Sequence, residues 1–116
     1  MLVLLIDDNE AEYVLLKEML NRGVTLEVAF DSQEAEKLLI KKQFDLIVID
    51  VNLTIENGYE VAEQLKHHGA HIVITSNSFG HTQTIRISQT KQTVSKEKLA
   101  EFINEREIQD GLFKRR

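Results

Sequence analysis

Cysteine, proline and tryptophan are all absent from the 116 residues, and glycine occurs only five times. Lack of cysteine rules out a disulfide framework and fits a reducing, cytoplasmic setting. Nowhere do eighteen apolar residues occur together, so no membrane-spanning helix is expected. Basic residues are in the minority, 14 against 19 acidic ones for a net charge of −5. That balance disfavours a nucleic-acid-binding module, which needs a basic face or stripe. The single basic cluster, Lys114, Arg115 and Arg116, reads as part of a solvated tail over about 109–116. The opening MLVLLIDDNE has no basic region ahead of its apolar run and two acids directly after it, so it reads as a strand and not as a signal peptide.

What is present is ordinary globular composition, 42% hydrophobic and 28% charged, and residues 1–116 are expected to form one domain. Apolar runs of strand length alternate with segments of helical period, the pattern of an α/β domain with a mostly parallel sheet. Strands are expected at Leu2 to Ile6, Thr25 to Phe30, Phe44 to Ile49, His71 to Thr75 and Thr84 to Ser88. The second alternates and suits a sheet edge, whereas the third is nearly continuous and β-branched, as a central strand covered on both faces should be.

Helices are expected from about Glu10 to Leu20, from Asp31 or Ser32 to about Lys42, from about Asn57 to His67, and from Ser95 to about Ile108. Asn9 is the natural N-cap of the first, with Glu12 placed to answer it. Gly23 and Gly69 stand where left-handed residues commonly end helices. Between the fourth and fifth expected strands only about eight residues intervene, Ser76 to Gln83, fewer than the dozen or more a parallel crossover needs. A reduced or absent fourth helix would follow.

In open parallel sheets ligands sit at the carboxyl ends of strands, so the residues just past each strand carry the functional reading. Asp7 and Asp8 follow the first, Asp50 the third, Thr75 and Ser76 the fourth, and Lys91 comes after the fifth. Three carboxylates in one crevice repel one another unless a cation joins them. Mg²⁺, a hard ion that takes carboxylate, water and phosphate oxygens, answers that need.

Taken together, the acidic pair in IDDNE, Asp50 in DLIVIDVNLTIENG, Thr75 in VITS and Lys91 in SQTKQ resemble the active site of response-regulator receiver domains. The resemblance covers most of the chain. It implies a flavodoxin-like, doubly wound parallel sheet of five strands in the order 2-1-3-4-5. It also implies Asp50 as phosphoacceptor, Mg²⁺ on Asp7, Asp8, Asp50 and the backbone carbonyl of Asn52, and Thr75 and Lys91 on the phosphoryl oxygens. Gly58 matches the family's glycine after the phosphoacceptor loop. The implied function is a stand-alone receiver, not an enzyme, phosphorylated by a sensor histidine kinase or phosphotransfer protein and signalling by protein contact.

Several positions depart from the family pattern. Thr54 and Gln92 stand where it usually has prolines, and Ser88 stands where an aromatic residue usually precedes the lysine by three positions. A phosphorylation-independent pseudo-receiver, acting as a binding or dimerisation module, is therefore the alternative, and the shortened connection suggests a homodimer. A phosphohydrolase of the haloacid-dehalogenase type ranks last, because it wants a second Asp where this chain has Asn52. In the HHGAH cluster of His67, His68 and His71 the first two stand at a helix C-terminus, where positive charge is favourable anyway, so the cluster does not read as a metal site.

Overall fold

A computed structural model of the chain describes residues 1–76 and 92–114. Strands β1 (Leu2–Ile6), β2 (Thr25–Ala29), β3 (Leu46–Asp50), β4 (His71–Ser76) and β5 (Gln92–Ser95) form one parallel sheet in the order β2-β1-β3-β4-β5. Helices α1 (Glu10–Met19), α2 (Ser32–Lys41) and α3 (Gly58–Leu65) follow β1, β2 and β3, and α4 (Lys96–Lys114) follows β5. This is the flavodoxin-like architecture the resemblance implies. None of these helices is long and apolar enough to cross a membrane.

Alternation along the central strands sends apolar side chains to both faces. Leu4, Ile6, Ile47, Ile49 and Ile74 pack with Ala35, Leu39, Val61, Ala62 and Leu65 of α2 and α3. Val3, Leu5, Leu46, Val48 and Val73 pack with Leu16 of α1 and Leu99, Ala100 and Ile103 of α4. All five residues of β3 are buried, as its near-continuous apolar run requires. β2 lies at an edge, and its mixed burial matches its alternating sequence.

Side-chain caps set the helix starts. Asn9 accepts from Ala11 N, Asp31 from Glu34 N and Asn57 from Tyr59 N. After α3 a 3₁₀ turn, Lys66–His68, runs into Gly69 at φ 79°, the left-handed conformation glycine tolerates. The first helix ends differently from expectation. Leu20 is extended, its N–H bonded to Lys17 O, and Gly69 is the sole positive-φ residue among those described, so Gly23 is not a left-handed cap. A Cβ at Gly23 would instead meet the Glu107 carboxylate of α4 at 2.6 Å.

One strand is corrected outright. The sheet's fifth strand is Gln92–Ser95, paired with β4 from Val73↔Gln92 to Ser76↔Ser95. Thr84 to Ser88, where it was expected, lies outside the described residues, as do the reduced or absent helix expected at Asn77 to Gln83 and Ser88 itself. Residues 77–91 join β4 to β5, so the connection has the dozen or more residues that a parallel crossover needs. The alternating TIRIS outcompetes QTVS on pattern, because Val94 is the lone large apolar residue of this edge strand. The final helix also runs past Ile108, to Lys114.

Candidate functional site

Parallel register converts neighbouring strand ends into neighbouring side chains. Ile6 pairs with Ile49, so Asp7, the next residue, emerges beside Asp50, and Asp50 itself pairs with Thr75. Asp7 and Asp50 are buried at 1% and 5% exposure, while Asp8 faces solvent. One carboxylate oxygen from each of the three lies within 4.8 Å of the others.

Main-chain N–H groups fix all three. Asn9 N donates to Asp7 Oδ1 at 2.9 Å, Asn52 N to Asp50 Oδ1 at 3.1 Å, and Thr54 N to Asp8 Oδ2 at 2.6 Å. The reciprocal cap expected of Glu12 is thereby displaced: the Asn9 N–H goes to Asp7. Burial pushes the Asp7 carboxyl above its ordinary pKa; the Asn9 N–H opposes the rise and the charge of Asp50 adds to it. Thr54, through its side chain and its N–H, holds Asp8 below the ordinary value.

The loop after β3 folds back against Asp50. Gly58 N donates to Val51 O at 3.2 Å, and a Cβ at Gly58 would stand 2.4 Å from Asp50 O and 2.7 Å from Val51 Cα. No side chain fits there, which is the structural reason for glycine. Glu56 in the same loop accepts from Ser32 N at 2.9 Å and from Ser32 Oγ, tying the loop to the start of α2.

On the other flank stand Thr75 and a lysine. Thr75 is fully buried, and its Oγ1 has no hydrogen-bond partner among the described residues. Lys91, expected to supply the cation, lies outside the described residues. Among the described residues, the ammonium seated among the carboxylates is that of Lys96, first residue of α4, whose Nζ is 3.5 Å from each of Asp7 Oδ2, Asp50 Oδ2 and Glu12 Oε1. Burial alone would lower its pKa, but Asp50, Asp7 and Glu12 outweigh that and raise it. The signal that could have found Lys96 is crossover length. A dozen residues counted from Ser76 exclude a strand at Thr84 and lead to QTVS, with Lys96 directly behind it. Counting three positions back from Lys96 reaches Thr93, so an aromatic is missing at this position too.

Three carboxylates with converging oxygens, one of them raised by burial, make a hard, anionic pocket suited to a divalent cation with oxygen ligands. Two of the three clustered histidines have protein partners: His68 Nε2 lies 3.0 Å from Glu36 Oε2, and His71 contacts Arg106.

Residues 3–109 match the response regulator receiver domain family. The chain belongs to that family. It is therefore a receiver of the kind used in two-component signalling. The sensory transduction protein LytR of Streptococcus agalactiae is 51% identical over 37 residues, covering 32% of this chain and 15% of that protein. The transcriptional regulatory protein TctD of Salmonella typhimurium is 33% identical over 70 residues, covering 60% of this chain and 31% of that protein. The receiver thus spans less than a third of the length of these curated relatives. Among solved structures, the receiver domain of a Francisella response regulator superposes with a TM-score of 0.71 at 24% identity, covering 94% of this chain and 98% of that one. TrrA of Thermotoga maritima, in complex with Mg²⁺-BeF, gives 0.72 at 22%, covering 90% and 96%. At such identities the likeness shows the fold.

Proposed function

We propose that this receiver accepts a phosphoryl group on Asp50 with Mg²⁺, from a sensor histidine kinase or phosphotransfer protein, and signals by protein contact in the cytoplasm. The observation that carries the reading is the convergence of Asp7, Asp8 and Asp50 oxygens within 4.8 Å, with Lys96 Nζ 3.5 Å from two of these residues. Phosphoryl transfer asks for positioning and charge neutralisation more than for covalent help, and this pocket supplies both.

Asp50 is the nucleophile: an Oδ–P bond forms while the donor's P–N bond to histidine breaks, its electron pair returning to the imidazole. The Asn52 N–H steadies Oδ1, and Oδ2 faces Lys96. Lys96, in place of Lys91, neutralises a phosphoryl oxygen. The unpartnered Thr75 Oγ1 donates to another, which gives a buried hydroxyl the partner it lacks. Bound Mg²⁺, on Asp7, Asp8, Asp50 and the backbone carbonyl of Asn52, would neutralise the remaining oxygen charge.

Amide NMR spectra recorded with Mg²⁺, then with beryllofluoride, test the reading on the native chain and on Asp50→Asn. Shifts around Asp50, Thr75 and Lys96 in the native chain alone are expected. A native chain silent to beryllofluoride at saturating Mg²⁺ would leave the phosphorylation-independent pseudo-receiver in its place.

A further inference from the structure

Lys96 is shared by three carboxylates, and one of them has no part in the chemistry above. Glu12 lies in the first turn of α1, its Oε1 as far from Nζ as the oxygens of Asp7 and Asp50. Its side chain is 30% exposed against 1% for Asp7, so it is the more solvated of these partners of the ammonium. Because Lys96 opens α4, the pair bridges two helices across an open cleft of about 220 Å³ walled by Leu16, Met19 and Leu99.

A charge-assisted hydrogen bond closes to roughly 2.7–2.9 Å. At 3.5 Å from three acceptors the ammonium is shared among them and closes to that distance with none. A phosphoryl group on Asp50 brings new anionic oxygens to one side of that balance and draws Nζ toward them. Glu12 lies on another side and resists the movement. Asn9 caps α1, so the Glu12 side chain is not needed to start the helix.

We propose that Glu12 is a positioning residue that holds Lys96 back from the phosphoryl oxygens and so weakens binding of an anion at Asp50. This rests on Asp50 being the phosphoacceptor. Removing the Glu12 charge frees the ammonium for the anion. The same change takes negative charge from the neighbourhood of the metal ligands, so the two ligands respond in opposite senses.

The test titrates beryllofluoride at saturating Mg²⁺, and Mg²⁺ alone, into the native chain, Glu12→Gln and Glu12→Asp, and follows the Lys96 side-chain ammonium signal by NMR. Glu12→Gln is expected to tighten beryllofluoride about fivefold, the upper range for a partly exposed ion pair, while Mg²⁺ alone binds no tighter. Glu12→Asp, which keeps the charge, stays nearer the native value. Before any anion is added, the Lys96 signal of Glu12→Gln should already be displaced toward its position in the native beryllofluoride complex. A general structural defect would weaken both ligands. Equal or weaker beryllofluoride binding in Glu12→Gln, or an unmoved Lys96 signal, overturns the proposal and leaves the Asp50 reading intact. A native chain that ignores beryllofluoride removes both.

Discussion

The two flanks of the receiver site are built on different principles. On the carboxylate flank, each of Asp7, Asp8 and Asp50 accepts a main-chain N–H, from Asn9, Thr54 and Asn52, and the Gly58 backbone lies directly against Asp50 O. On the cationic flank, Lys96 reaches its partners along a flexible stem at 3.5 Å, and Thr75 Oγ1 has no partner among the described residues. The first flank is preorganised by backbone and the second is left with unspent bonding capacity. On the proposed function that division is useful, because fixed acids would define where phosphorus arrives while the groups meeting its oxygens keep room to respond.

The sharpest way to break the rigid flank is Gly58→Val. Its Cβ would sit 2.4 Å from Asp50 O and 2.7 Å from Val51 Cα, both backbone atoms that cannot swing aside. Overpacking of this kind should cost about 3 kcal/mol, read as a lowered urea midpoint with an unchanged slope. A variant as stable as the native chain would mean that the loop yields freely, and the contrast between the flanks would fail.

Lys96→Met attacks the other side. Without its ammonium the buried Asp7 and Asp50 are left facing each other, and about 2 kcal/mol should be lost in Mg²⁺-free buffer. That is less than the roughly 3–5 kcal/mol of a fully buried pair, because the Lys96 side chain is 14% exposed. Saturating Mg²⁺ should restore most of the loss, since a ligand of the folded state stabilises by mass action. Melting curves with and without Mg²⁺ check both parts. A deficit that Mg²⁺ leaves untouched would show that the lysine stabilises α4 and not the carboxylates.

Legibility in the sequence follows the same division. Asp7, Asp8 and Asp50 stand directly behind or at the end of apolar strands, and IDDNE and LIVID carry strand and site in one short string. Thr75 lies in β4, behind the apolar run Ile72, Val73 and Ile74, and is legible in the same way. β5 is a four-residue edge strand with Val94 as its apolar content, so local pattern does not compete with TIRIS, and the strand that brings Lys96 to the site stays hidden. The crossover-length rule carried the missing information, but it acts over the chain between two strands and not within a window. Glu12 was legible as a helix N-terminal acid, whereas its approach to Lys96 depends on how α1 and α4 pack, which no local pattern encodes. Val14, Leu15 and Met19, apolar in sequence, remain about half exposed on α1, and Leu16 alone is fully buried there.

Thr75→Val should separate stability from function on the cationic flank. Replacing a buried hydroxyl that lacks a partner by a methyl group of the same shape removes a desolvation penalty, so a gain of about 1 kcal/mol is expected in thermal melts. The same change should weaken beryllofluoride binding at saturating Mg²⁺, because the donor aimed at the anion is gone. Lost stability instead would mean that the hydroxyl already has a partner in solution, such as an ordered water.

Glu56→Gln makes the smallest change and probes the layer behind the rigid flank. Glu56 places a negative charge at the start of α2, where the helix favours it, and its two oxygens engage Ser32 N and Oγ. Glutamine keeps one acceptor and loses the charge, so the global cost should be about 0.5 kcal/mol. The local effect should be larger in proportion, because the same loop carries Thr54, whose N–H is bonded to Asp8 Oδ2 at 2.6 Å. Loosening Glu56 should therefore speed hydrogen exchange at the Thr54 amide while leaving the β3 amides at the rate set by global unfolding. If Thr54 exchanges as slowly as in the native chain, the loop is held by Gly58 and Asp8 alone, and the backbone rigidity of the carboxylate flank needs no support from α2.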